Sequence, residues 1–147
     1  MKPDRLHTQA PHRRHVRGFT MIELMITVAI IAILAGLAVA SYDASVTKSR
    51  RSAAAACLME RAQAMERYYT INLTYVGAPD PPACGPDISP DHYTVAFTAV
   101  PTATAFSLEA VPQGGQASKD GKCGTLTLDA QGTKGIDGGT ADADYCW

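Results

Sequence analysis

From Leu24 to Ala40 the chain runs for 17 residues with Thr27 as its one polar interruption, and Glu23 stands directly before that run. A stretch of this length sits at the short edge of what crosses a bilayer as a helix. The segment before it is basic: residues 1–18 hold Lys2, Arg5, Arg13, Arg14 and Arg17 against Asp4. A basic flank followed by an apolar helix is the layout of a membrane-targeting segment. Of 147 residues, about 40 must therefore be set aside before a globular core is counted, and the remainder is one small domain.

Two cuts would release such a segment differently. Ala38-Val39-Ala40 before Ser41 fits the small-residue pattern of an ordinary signal peptide. That cut would free a soluble exported binding domain beginning at Ser41. Glu23 argues against it, because an acidic side chain in hydrocarbon costs up to about 3 kcal/mol and usually marks function. A disposable signal has no use for it.

The residues around Glu23 form a specific pattern, Arg17-Gly18-Phe19-Thr20-Met21-Ile22-Glu23-Leu24 ahead of the apolar helix. Residues 13–42 thereby resemble the class III signal of type IV prepilins and related pseudopilins. The resemblance implies that prepilin peptidase cleaves after Gly18 and that the new first residue, Phe19, is N-methylated. It implies too that the apolar helix is retained, first as an inner-membrane anchor and then in the centre of a filament. By the same resemblance, Glu23 would pair there with the Phe19 amine of a neighbouring subunit. A carboxylate buried among apolar helices needs such a partner, since an uncompensated charge costs several kcal/mol. One departure stands out: the family's usual proline and glycine are Ala40 and Ala32 here, which leaves Gly36 as the breaker.

Beyond Ala40 the pattern turns amphipathic. Ala54, Leu58, Ala62, Met65 and Tyr69 recur at helical spacing, and Lys48, Arg50, Arg51, Glu60, Arg61, Glu66 and Arg67 fall largely off that stripe, on a face that is solvated or meets other subunits. A helix from Thr20 to Thr70 would be about 75 Å long. Residues 72–91 read as loop, punctuated by Gly77, Pro79, Pro81, Pro82, Gly85, Pro86 and Pro90. The period then changes to two. Tyr93, Val95 and Phe97 alternate in a first segment, Phe106, Leu108 and Ala110 in a second, and Leu126 and Leu128 in a third. These predict three antiparallel strands, with Gly114-Gly115 opening a longer turn. One face of such a sheet must be covered, and the amphipathic helix is the available cover.

The four cysteines are Cys57, Cys84, Cys123 and Cys146, with no C-x-x-C spacing and only His92 outside the basic leader, so a zinc site lacks ligands. Behind an export-like segment they read as two disulfides. Of three connectivities, Cys57 with Cys84 and Cys123 with Cys146 closes the shorter loops. Residues 120–147 also resemble the end of PilE-type minor pilins, in which a C-G-x-L-T-L strand, a G-x-x-G turn and a terminal C-W close a disulfide-bounded loop. The Cys57–Cys84 pair is the main departure from that group. Trp147 is expected to pack over the neighbouring bridge.

Charge is unevenly spread. From Asn72 onward three lysines face nine carboxylates, a net of −6. Such a head repels nucleic acid, whose binding rests on phosphate neutralisation, so no direct nucleic-acid contact is expected. No nucleophile elbow, phosphate loop or His-rich motif is present, no enzymatic activity is expected, and neither a cofactor nor a metal is implied. The expected architecture is α+β, a pilin fold with a long N-terminal helix on a small antiparallel sheet and a C-terminal disulfide-bounded loop. Its parts are a cleaved leader (1–18), a transmembrane and filament-core helix (19–42), an amphipathic helix (43–71), and a loop with the β-sheet (72–147). The expected role is a structural subunit of a type IV pilus, a minor pilin, serving adhesion, twitching motility or DNA uptake. A type II secretion pseudopilin shares the N-terminus and is the alternative filament. Partners would be other pilin subunits, prepilin peptidase and the inner-membrane assembly platform. The protein would sit in the inner membrane before assembly and in a pilus that spans the periplasm and reaches the cell exterior afterwards.

Overall fold

An apolar stripe along a helix needs a surface to cover, and the alternating segments behind it supply one. The computed structural model describes residues 18–80, 84, 85, 88 and 90–147. The basic leader up to Arg17, and Pro81, Pro82 and Pro86 of the Pro-rich loop, lie outside the described residues. In chain order the elements are α1 (Met21–Asn72), β1 (Tyr93–Phe97), β2 (Ser107–Pro112), α2 (Gly114–Lys119), β3 (Thr125–Asp129), β4 (Lys134–Asp137) and α3 (Ala143–Cys146). Packing divides the chain between Ala38 and Val39.

The first unit contains the start of α1. Its apolar side chains, Ile22, Leu24, Ile30, Ile33 and Leu37 among them, are all exposed. Helical periodicity cannot hide a segment that is apolar on every face. The helix runs through Gly36 and Ala40 without interruption.

In the second unit the four strands form an antiparallel meander in the order β1-β2-β3-β4. Register puts the large apolar residues in rows: Leu108 faces Phe97 and Leu128, and Ala110 faces Val95 and Leu126. That face packs on the predicted helical stripe. Ala54, Leu58 and Met65 of α1 are buried with Tyr93, Phe106, Leu108, Leu126 and Leu128, while Ala62 and Tyr69 pack at the margin. Each fully buried leucine contributes about 1.5–3 kcal/mol, so this seam holds the head together. Tyr69, Tyr75 and Phe106 close one end of it, with ring centroids 4.6 and 4.9 Å apart. On the edge strand, Arg61 Nη1 donates to the Val95 carbonyl at 2.8 Å and so ties β1 to the helix.

Three features depart from the sequence reading. The sheet has a fourth strand, β4, paired with β3 from Thr125 opposite Asp137 to Leu128 opposite Lys134. Gly114 and Gly115 begin a helix rather than a long turn, Gly114 taking φ +48° just after Pro112. A helix of six residues is not stable by propensity; burial of Gln116 holds it in place. The third departure is Arg51, which lies inside the head rather than on a solvated face.

Disulfides join Cys57 of α1 to Cys84 and Cys123 to Cys146. Trp147 packs, partly buried, against the core cluster. Its indole Nε1 donates to the Gly135 carbonyl at 2.9 Å, and Lys134 Nζ lies 5.3 Å from its ring centroid, so the chain end fastens β4.

Candidate functional site

Two regions carry chemistry beyond the core. The first is the start of α1. Thr20 Oγ1 accepts from the Glu23 amide at 3.2 Å, and Glu23 Oε2 accepts from the Thr20 amide at 3.5 Å. This reciprocal arrangement is a capping box: it satisfies two amides that a helix start leaves without partners. It also aims the Glu23 carboxylate back toward the helix start, where the partial positive charge of the helix favours it. Gly18 and Phe19 precede this cap outside the helix, both exposed. The geometry therefore places the carboxylate one turn from the residue whose amine a cut after Gly18 would create. The T-x-x-E spacing of Thr20 and Glu23 is the sequence signal for this cap.

The second region lies where the first turns of α1 beyond Val39 meet α2 and α3. Arg51 and Asp120 form an ion pair between Nη1 and Oδ1, and Arg51 Nε donates to the Cys146 carbonyl at 3.1 Å. Tyr93 Oη donates to Asp120 Oδ2 at 2.8 Å. Gln116 Nε2 reaches the Thr47 carbonyl at 3.0 Å and lies 3.3 Å from both Tyr93 Oη and Asp120 Oδ2. Burial pushes the Tyr93 phenol well above its usual range, and the hydrogen bond to the Asp120 carboxylate adds to the shift. The network joins α1, β1, α2 and the C-terminus in one polar cluster. Sequence reasoning missed it because its members are spread over the chain.

Beside this cluster, and sharing Arg51 and Asp120 with it, a cleft of about 590 Å³ opens between α1 and the segment around α2, lined also by Lys48, Lys119, Lys122, Tyr145 and Asp43. Lys119 Nζ lies 3.0 Å from Asp43 Oδ2, with both side chains about half exposed. Among the described residues no His, Cys, Asp and Glu side chains gather in a group that would hold a metal ion.

Residues 40–127 match the family described as type IV minor pilin ComP, DNA uptake sequence receptor, and residues 13–39 match the prokaryotic N-terminal methylation motif. Among solved structures, a type IV pilin from Shewanella oneidensis is 32% identical over 60% of this chain and 89% of that one, with a TM-score of 0.47. The non-core minor pilin PilV of Neisseria meningitidis is 24% identical over 68% of this chain and 95% of that one, with a TM-score of 0.50, a likeness of fold. No curated protein sequence matches the chain.

Proposed function

The chain belongs to the family of the type IV minor pilin ComP, DNA uptake sequence receptor, and on that premise we propose that it is processed after Gly18, N-methylated at Phe19 and assembled into a pilus through α1. As a type IV pilin it is a structural protein, anchored by its apolar N-terminal helix and built into a filament. The observation that carries the finer reading is the exposed apolar start of α1 behind the Thr20–Glu23 cap. Among the described residues nothing covers that surface; in a bilayer, and then among the equivalent helices of other pilins, it is covered. Prepilin peptidase and the inner-membrane assembly platform are the partners of these steps, with the inner membrane as the first location and the extracellular pilus as the second.

Within that assembly Glu23 serves as the partner of the Phe19 amine of a neighbouring subunit. The charge of such a pair is tolerated in an apolar setting because each member neutralises the other. The Cys57–Cys84 and Cys123–Cys146 bridges keep the head folded outside the cell, where thiols oxidise.

Of adhesion, twitching motility and DNA uptake, the family's description favours DNA uptake as the process this pilus serves. The net charge of −6 from Asn72 onward supports an indirect part for this subunit, because phosphate contact needs cations. A second reading, in which the head binds DNA itself, is favoured by the same family description. Binding of labelled duplex DNA to the full chain, followed across a salt series, separates the two: steep salt-sensitive binding supports the receptor reading.

The processing experiment is mass spectrometry of the mature N-terminal peptide. A methylated Phe19 is the expected result. A start at Ser41 would overturn the proposal and leave a free exported domain.

A further inference from the structure

The cleft beside α2 is a basic place on an acidic head. Four cations line it against Asp43 and Asp120. Arg51 and Asp120 neutralise one another inside the head. The Lys119–Asp43 pair is exposed and therefore weakly held. Lys48 and Lys122 remain, from α1 and from the segment after α2, with no ion-pair partner among the described residues. Tyr145 lines the cleft and is exposed, its ring centroid 5.7 Å from the Arg51 guanidinium carbon. Flexible ammonium groups around an opening of this size suit an anion with several acceptor oxygens.

The cleft's position chooses the anion. Lys48, one of its cations, follows Ala40 at the end of the apolar run by eight residues, about 12 Å of helix. A head tethered through that helix to a bilayer holds Lys48 within reach of the membrane surface, whose anionic phosphates attract nearby lysines. We propose that the cleft binds the phosphate of an anionic phospholipid in the membrane that anchors the helix, holding the head against that surface before assembly. Duplex DNA offers the same phosphate chemistry, but it would have to approach past the acidic remainder of the head. The proposal rests on retention of the anchor helix.

The test uses the full chain in nanodiscs of phosphatidylcholine, with and without phosphatidylglycerol. Acylation of lysine amines is read by mass spectrometry. Labelling of Lys48, Lys119 and Lys122 is expected to fall severalfold when phosphatidylglycerol is present and to recover at high salt, while Lys134 labels equally in both discs. A Lys48→Gln/Lys122→Gln variant, with its disulfides checked, is expected to lose the lipid-dependent protection of Lys119. Equal labelling in both discs overturns the proposal. Equal protection by inorganic phosphate added to phosphatidylcholine discs overturns the lipid source. Protection by a DNA duplex but not by phosphatidylglycerol makes the cleft a nucleic-acid site and overturns the proposal. A chain that fails to enter discs overturns the anchor reading and the proposal with it, a result distinct from equal labelling.

Discussion

The Arg51 guanidinium and the Asp120 carboxylate meet inside the head, their side chains 9% and 4% exposed, across a sequence separation of 69 residues. Two charges taken from water cost several kcal/mol each, so such a pair persists where further hydrogen bonds complete it. Here the Cys146 carbonyl, Tyr93 Oη and Gln116 Nε2 do so. Arg51→Met strands Asp120 and is expected to cost about 3–5 kcal/mol in denaturant unfolding of the full chain. The double variant Arg51→Met/Asp120→Leu should recover much of that loss. Lys119→Ala, which breaks the exposed pair with Asp43, should cost no more than about 1 kcal/mol. Equal losses for Arg51→Met and Lys119→Ala would show that burial does not set the value of the Arg51 pair.

Alkali should unfold the head through its tyrosines. Burial raises the Tyr75 phenol to about 12, with the neighbouring Glu66 carboxylate adding to the shift, and raises Tyr93 further. The folded chain therefore keeps protons that the unfolded chain releases from about pH 10. The stabilisation is complete below pH 10 and declines as pH rises toward the folded-state values, by up to about 1.4 kcal/mol per pH unit for each tyrosine. Unfolding measured from about pH 9 to about pH 12 should show the decline. Tyr93→Phe should make it shallower; an unchanged slope would remove Tyr93 from the explanation.

Two residues with positive φ should respond in opposite directions. Leu73 ends α1 at φ +56° with its amide donating to the Tyr69 carbonyl at 2.7 Å. A leucine in the left-handed region costs about 1–2 kcal/mol, and glycine is the usual residue at such a helix end. Leu73 is also 74% exposed, so its side chain contributes little burial. Leu73→Gly is thus expected to stabilise the head by about 1 kcal/mol. Gly124 sits at φ +60° against the backbone of Asp137, Gly138 and Gly139, where a methyl group has no space. Gly124→Ala should destabilise by about 2 kcal/mol or more. Thermal unfolding of both variants checks the signs together.

The legible parts of this fold are those in which neighbours in sequence share a face. Ala54, Leu58 and Met65 repeat at helical spacing, and Leu108 and Ala110, or Leu126 and Leu128, at strand spacing, so local order alone predicts the seam. Arg51 reads as a solvated cation because nothing near it in sequence reveals Asp120. Strand β4 is equally hidden: four residues, Lys134 to Asp137, with Gly135 among them, carry too little alternation to count. Gly135 is suited to that place by its partner, since a Cβ there would come within 2.6 Å of Thr127 Oγ1. At the cleft, Lys48 is legible as one of the charges off the apolar stripe, whereas its association with Lys122 and Tyr145 depends on the tertiary fold.

Glu23 can be tested by separating its two capacities. As a helix cap it accepts the Thr20 amide, a task glutamine also performs in a capping box. As a charge it would answer the Phe19 amine of a neighbouring subunit, a task glutamine cannot perform. Glu23→Gln should preserve the helix start, whereas Glu23→Ala removes the side-chain half of the cap at a cost of about 1 kcal/mol. Both variants, with Glu23 replaced by an uncharged residue, should insert into the inner membrane at least as readily as the original chain. Incorporation into sheared pili, measured by immunoblot against the membrane-bound pool, is then the deciding quantity. If charge pairing governs assembly, Glu23→Gln fails as fully as Glu23→Ala while processing to Phe19 continues. Normal incorporation of Glu23→Gln with failure of Glu23→Ala would instead assign the requirement to the cap, and the register of the filament would have to be set elsewhere along α1.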